Sequence, residues 1–400
     1  MPPEALVQRI REEIERTGPL TFARFMELAL YDPEYGYYAT AVRVGRSGDY
    51  LTAPEAHPIF GWVIARQLWE LWDLLDRPAH FTLIEYGPGT GTLVLSLFEY
   101  LARTAPGFLE RLRYRPVEVS RAALDTLVDR LVDSGFASLL ALEERDAVTG
   151  VVLANEVVDA LPVHRVCWRE DQLWELFVDW DGERFVEVLG PPSTGALAHW
   201  LERLGVQLRE GQTTELCLAM VDWVEDVARV LARGYVLVLD YGYPAPERYD
   251  PVRFPKGTVR TYFRHSVGDD PLQSLGEQDI TAHVDFTMLG LAAQERGFTV
   301  LGLTTQAEFL AQAGLGEVLV QLQAEPGMTA EQYLAARAAA LHLLDPAGMG
   351  RFRVLLLGKG VPEGVLPSGF RPRLLTGVHL PLSERSTDSQ GHSQCDELWR

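Results

Sequence analysis

Phe81-Thr82-Leu83-Ile84-Glu85-Tyr86-Gly87-Pro88-Gly89-Thr90-Gly91 decides the reading of this chain. Six residues rich in strand formers run into three glycines spaced two apart. From Thr92 a helical pattern then continues to about residue 104. A strand, a tight glycine turn and a helix start bring backbone N–H groups close to a ligand. Outward from this unit the pattern repeats. Tyr114 to Val119 reads as a second strand and 121–133 as a second helix. Val151 to Ala154 and Tyr235 to Leu239 are continuous apolar strands, and Phe352 to Leu357 is a last one. Apolar strands alternating with helices predict an α/β fold with a mostly parallel sheet covered on both faces.

The flanking segments are different. Residues 4–16 carry Leu6, Ile10 and Ile14 on one helical face, and further helices are expected at 21–30 and 57–75. The stretch 163–190 alternates like antiparallel strands, 195–233 reads as largely helical, and 241–280 as a long functional loop region rich in Gly, Pro, Asp and Arg. The expected organisation is an N-terminal helical region with a cofactor-covering loop over 1–76, and a main unit over 77–360. Insertions interrupt that unit at about 163–233 and 241–280. The polar tail, 377–400, reads as disordered.

Composition narrows the function. The chain has 400 residues, 47% hydrophobic and 23% charged, which is a globular make-up. Its 36 basic and 56 acidic residues leave a formal charge of −20, a surface that repels phosphate backbones and argues against nucleic acid. Cys167, Cys217 and Cys395 are far apart and form no CxxC, so neither a metal site nor a disulfide framework is expected, and a reducing compartment fits. No apolar run reaches the ~18–20 residues needed to span a bilayer. The first sixteen residues carry four glutamates and resemble neither a signal nor a transit peptide, so a cytoplasmic location is expected.

The glycine turn admits few cofactors. A dinucleotide site wants a third glycine where this chain has Thr92, and a phosphate-binding loop wants Gly-Lys-Ser/Thr, which is absent. S-adenosylmethionine remains. Glu85, Gly87, Gly89 and Gly91 would bind its amino-acid end. Glu118, 33 residues after Glu85, would accept the ribose hydroxyls, about one β-turn-α-loop-β unit along. Asn155, Glu156 and Asp159 follow a buried strand, where the ligand side of an open sheet lies, and are the candidate catalytic residues; helix capping is their alternative role. Asp240 and Tyr241 end another strand and are candidate substrate-binding residues. His283 joins them as a candidate base or a structural histidine beside a helix start. The tyrosines at 35, 37 and 38 suggest either an aromatic clamp or core packing.

Several segments resemble one family in order over about residues 18–310. They are Gly18-Pro19-Leu20-Thr21-Phe22, Tyr31-Asp32-Pro33, Gly48 to Glu55, Glu85 to Leu93, Val117-Glu118-Val119-Ser120, Asn155-Glu156 with Asp159 to Val163, Asp240-Tyr241-Gly242, and Gly276 to Phe286. The chain resembles the MidA-type class I methyltransferases, relatives of a mitochondrial complex I assembly factor. The resemblance implies a Rossmann-like, seven-stranded methyltransferase sheet with inserted substrate-binding elements, and S-adenosyl-L-methionine as cofactor. It places Gly48, Thr52, Pro54 and Val119 by the cofactor. It also implies a protein arginine as acceptor, symmetrically dimethylated, with a complex I-type subunit as the partner. Thr90, Ser96, Arg121 and Thr126 depart from the family pattern, which has a basic residue, an acidic residue, proline and glutamine there. A chaperone that keeps the fold without turnover and a small-molecule methyltransferase are the competing functions.

Overall fold

The computed structural model describes residues 4–40, 53–143, 146–263 and 266–371. Gly48, Thr52 and the tail beyond 371 therefore lie outside the described residues. The chain opens with α1 (Glu4–Thr17) and α2 (Phe22–Tyr31), followed by α3 (Ile59–Leu74). Thr21 caps α2, its hydroxyl accepting the Arg24 N–H. Then come β1 (Phe81–Tyr86), α4 (Thr92–Thr104), β2 (Leu112–Val117), α5 (Arg121–Asp133), β3 (Val148–Asn155), α6 (Leu218–Val230), β4 (Leu231–Asp240), α7 (Phe286–Glu295), β5 (Thr299–Thr305) and β6 (Arg353–Lys359).

The main sheet has the order β5-β6-β4-β3-β1-β2. β4, β3, β1 and β2 run parallel, and β6 is antiparallel to both of its neighbours. Six strands form it among the described residues, one fewer than expected. Beside β2 the seventh place holds only a parallel bridge between Tyr114 and Leu140. The strand order reverses at β1, which leaves a crevice above the carboxyl ends of β1, β2 and β3.

Both sheet faces are buried, which is why the strands read as unbroken apolar runs. Along β4, Tyr235, Leu237 and Leu239 join the core under α3 and α4, while Val236 and Val238 join the core under α6 and α7. Helix α4 crosses α3 closely. A Cβ on Gly61 would come within 1.9 Å of Ser96 Oγ, so the close approach of the two helices needs glycine at 61.

The first insertion forms a separate sheet. Strands His164–Arg169, Gln172–Trp180, Phe185–Gly190 and Thr213–Leu216 pair antiparallel, and Leu20–Thr21 adds an edge. The last of these strands falls in the stretch expected to be helical; four residues are too few to show a period. The expected loop region also carries short strands, Arg260–Phe263, Ser266–Gly268 and Asp279–Thr281, in one small sheet. Helices α1 and α2 bury Leu6, Ile10, Phe22 and Phe25 against the first insertion. Full burial of such side chains stabilises by about 1.5–3 kcal/mol each.

One buried ion pair ties the insertions to the main unit. Arg248 donates to Glu215 Oε2 at 2.6 Å and to the His283 carbonyl at 3.0 Å, and the same carboxylate accepts the Thr258 N–H at 2.8 Å. Both side chains are at most 2% exposed. Removing one partner strands a buried charge, so Glu215→Ala is expected to destabilise by about 3–5 kcal/mol in chemical denaturation. A loss below about 1 kcal/mol would show that the pair is not a structural tie.

Candidate active site

A cavity of about 370 Å³ opens above the carboxyl ends of β1, β2 and β3. Its floor is the glycine turn. Gly87 and Gly89 have φ of 60° and 54°, the left-handed region. A Cβ at Gly87 would strike Val157 at 2.8 Å, whereas Gly89 has open space beside it. Thus one glycine lets the turn pack and the other leaves room for a ligand. Gly91, with φ of 81°, starts α4. From α5, Arg130 reaches the carbonyl of Thr90 at 2.7 Å and the hydroxyls of Thr90 and Thr92 at 3.2 Å each, clamping the turn. A cation thus sits at the turn although position 90 is threonine.

Glu118 lies just past β2 and lines the cavity. Its two oxygens accept the Gly89 N–H at 2.9 Å and the Ser120 N–H at 2.8 Å. A carboxylate has about four acceptor positions, so a pinned Glu118 can still accept from a diol. Glu85 also lines the cavity. It is 3% exposed, it accepts the Tyr114 hydroxyl at 2.6 Å, and burial raises its carboxyl to about 7. Val119, Thr90, Pro54 and Leu161 add to the wall. A pinned strand-end carboxylate, open space at Gly89 and a buried acid below suit the ribose, backbone-contacting and ammonium parts of S-adenosylmethionine.

The opposite wall comes from the end of β3. Asn155 and Glu156 line the cavity, and Glu156 has φ of 54°, a strained conformation for a non-glycine residue. Two contacts hold it. The Glu156 N–H donates to the Leu239 carbonyl at 2.8 Å. Asp240, at the end of β4, gathers the next turn, its Oδ2 accepting the N–H groups of Val157, Val158 and Asp159 at 3.2, 2.9 and 3.2 Å. Burial, then the nearby Asp159, raises Glu156 to about 8. Burial and Asp240 raise Asp159 as well.

The other residues expected at the site sit elsewhere. Asp159 is 5% exposed, behind the cavity wall, facing Tyr241. The Asp240 carboxylate is spent on backbone N–H groups and positions the Glu156 turn. Tyr241 is packed between Phe352 and His283. His283 lies among Tyr241, Tyr243 and Phe254, and burial with four nearby arginines lowers it to about 3. It stays neutral at ordinary pH and is a weak base. Of the tyrosine cluster, Tyr37 and Tyr38 line the cavity. Glu55, in the loop that the resemblance places by the cofactor, lines it too, and so do Tyr31 and Trp223, without a site role expected from the sequence. Trp223 arrives on α6, with no motif to mark it; Tyr31 opens the Tyr31-Asp32-Pro33 turn.

These raised carboxyls have a consequence for stability. Glu85 and Glu156 bind protons more tightly in the folded chain than in the unfolded one. Stability contributed by the protonated forms is therefore lost as pH rises from the ordinary carboxyl range towards 8. The melting temperature of the ligand-free protein is expected to fall by several degrees between pH 6 and pH 9 in scanning calorimetry. A rise over that window would contradict these environments.

Comparison with known proteins supports the same cofactor. Residues 63–304 match the family described as "Putative S-adenosyl-L-methionine-dependent methyltransferase". The Drosophila melanogaster protein arginine methyltransferase NDUFAF7 homolog, mitochondrial, is 30% identical over 392 residues, covering 89% of this chain and 85% of that protein. Its Homo sapiens counterpart is 29% identical, covering 89% and 84%. A crystal structure of a Burkholderia thailandensis protein bound to S-adenosyl-homocysteine superposes with a TM-score of 0.81 at 33% identity, over 92% of this chain and 94% of that one. The cytoplasmic location expected from the sequence is corrected by these comparisons, because the curated relatives are mitochondrial. Separated cysteines indicate only a reducing interior, which does not single out one compartment. Among the described residues no helix is long and apolar enough to cross a membrane, and no cluster of His, Cys, Asp and Glu can hold a metal. With S-adenosyl-L-methionine as its cofactor, this chain belongs to the MidA-type S-adenosylmethionine-dependent methyltransferases.

Proposed function

We propose that the acceptor is an arginine of a protein partner, making this chain a protein arginine N-methyltransferase. The observation that carries the proposal is Glu156, a half-buried carboxyl lining the cavity beside Asn155, desolvated near Asp159 and Asp279 and with no ion-pair partner among the described residues. Desolvated acids without a counter-ion attract a cation that brings its own donors. The names of the curated relatives support arginine as that cation. Symmetric dimethylation, with a respiratory complex I-type subunit as the client, is the form the resemblance implies and belongs to the same proposal.

Methyl transfer is an in-line displacement, so alignment and local electrostatics supply most of the catalysis. S-adenosylmethionine supplies an electrophilic methyl group on a sulfonium. Glu118 and the glycine turn would hold its nucleoside and amino-acid ends. Glu156 would draw the guanidinium in, align one nitrogen and take the proton that this nitrogen releases. Raised to about 8 in the empty cavity, this carboxyl is largely protonated near neutral pH; an arriving guanidinium stabilises its ionised form, and that carboxylate then takes the proton.

Mass spectrometry of proteins incubated with the enzyme and labelled cofactor tests the assignment. Label on arginine, with the fragment ions of symmetric dimethylarginine, is expected. Label confined to small molecules would favour the small-molecule reading, and client binding without label would favour a chaperone.

A further inference from the structure

Five residues of the cavity wall lie on the opposite face of the sheet from Glu85. Along β1, Glu85 turns towards Tyr114, which packs in the core under α3 and α4. Successive strand residues point to opposite faces, so Tyr86 turns the other way. With Val117, Val157 and Leu161 it packs against the core under α6 and α7. Trp223, on α6, closes this end, its ring 5.6 Å from that of Tyr86 and edge-on to it at 79°. All five residues line the cavity. Tyr86, Val117, Val157 and Leu161 are half-buried, and Trp223 is 7% exposed. None of the five carries a charge, whereas the rest of the wall holds Glu55, Glu85, Glu118 and Glu156.

We propose, resting on the arginine assignment above, that this apolar end receives an aliphatic or aromatic side chain next to the acceptor arginine, with Trp223 as the specificity-determining residue. Two observations set the occupant. The cofactor has its place elsewhere: Glu118 and the glycine turn face its sugar and amino-acid ends, and Val119, Ser120 and Ala123 continue the wall beyond Glu118 for its base. Val157 directly follows Glu156 in the chain, so the apolar end adjoins the carboxyl that draws in the guanidinium. Neighbouring Cα atoms of a peptide are about 3.8 Å apart, so a peptide that delivers arginine to Glu156 brings the next side chain within reach of Val157. A polar side chain there would give up its water to Val117, Val157 and Leu161, which offer no hydrogen bond in return. An apolar one removes its own surface and that of the wall from water together. Every arginine presents the same guanidinium to Glu156, so choice among arginines falls to a wall that reads the neighbouring residue.

Calorimetry on the full chain saturated with S-adenosyl-homocysteine tests this with four probes: acetyl-Leu-Arg-Leu-amide, acetyl-Gly-Arg-Gly-amide and the citrulline counterpart of each. The wild type is expected to bind the leucine-flanked arginine peptide at least about 10-fold more tightly than the glycine-flanked one, the scale of burying one such side chain. Trp223→Ala is expected to cut that preference to about threefold or less, while the preference for arginine over citrulline and the affinity for S-adenosyl-homocysteine stay within about threefold of the wild type. Trp223→Phe keeps an aromatic wall and is expected to keep most of the preference. Leu161→Ala lowers it with the indole in place, which separates a lost wall from a misfolded helix. A wild type that binds arginine and citrulline peptides equally, or binds none of the four, would remove the arginine assignment itself. A preference for arginine with no preference for leucine over glycine would overturn the apolar subsite alone, as would a leucine preference that survives both Trp223→Ala and Leu161→Ala. Loss of S-adenosyl-homocysteine affinity in Trp223→Ala as large as the loss of leucine preference would also overturn it, by placing the cofactor's base against the indole.

Discussion

Glu156→Gln is expected to lower kcat/KM for methyl transfer by about 10³-fold, while S-adenosyl-homocysteine affinity changes by less than about fivefold. The substitution keeps the shape and removes both the charge and the proton acceptor. Each role alone contributes of the order of 10²–10³-fold in positioned catalysis, about 3–4 kcal/mol of barrier. The glutamine also fits the same backbone, since φ of 54° is imposed by the turn that Asp240 holds and not by the side chain. Single-turnover kinetics read the chemical step, and calorimetry reads the cofactor. A variant that keeps more than a tenth of the wild-type rate would place the acceptor somewhere other than beside Glu156.

Glu118→Ala is expected to weaken the cofactor at least 100-fold. Two effects combine. The diol loses a charged acceptor, about 1.5–3 kcal/mol for a hydrogen bond to a charged group. The turn also loses its pin, because Gly89 and Ser120 each donate their backbone N–H to this carboxylate. Glu118→Gln keeps one acceptor oxygen and is expected to fall between the two. Unchanged affinity in the alanine variant, measured by calorimetry, would show that the sugar does not lie against β2.

Much of the fold is legible in the sequence because the strongest local signals coincide with its centre. The glycine turn marks the end of β1 and the start of α4, and the apolar runs of β3 and β4 announce a sheet buried on both faces. The pattern places β2 two residues late at its start and at its end because Arg113 and Arg115 interrupt its apolar run. The short strands Thr213–Leu216 and Arg260–Phe263 are hidden because four residues cannot display a period. The site divides in the same way. Proximity to a strand end marks Glu85, Glu118, Asn155 and Glu156, all of which line the cavity. The same rule marks Asp240, but a strand end does not say which way a carboxylate turns, and this one turns back onto the Val157–Asp159 amides. Trp223 and Tyr31 reach the cavity from an insertion helix and an N-terminal helix, through packing that no local pattern encodes.

A crystal structure of this protein with S-adenosyl-homocysteine bound tests the central claim most directly. The account predicts density over Gly87–Gly91, with both ribose hydroxyls on the Glu118 carboxylate and the sulfur turned towards Asn155 and Glu156. A nucleoside bound elsewhere, or one whose ribose contacts other groups while Glu118 faces solvent, would contradict it.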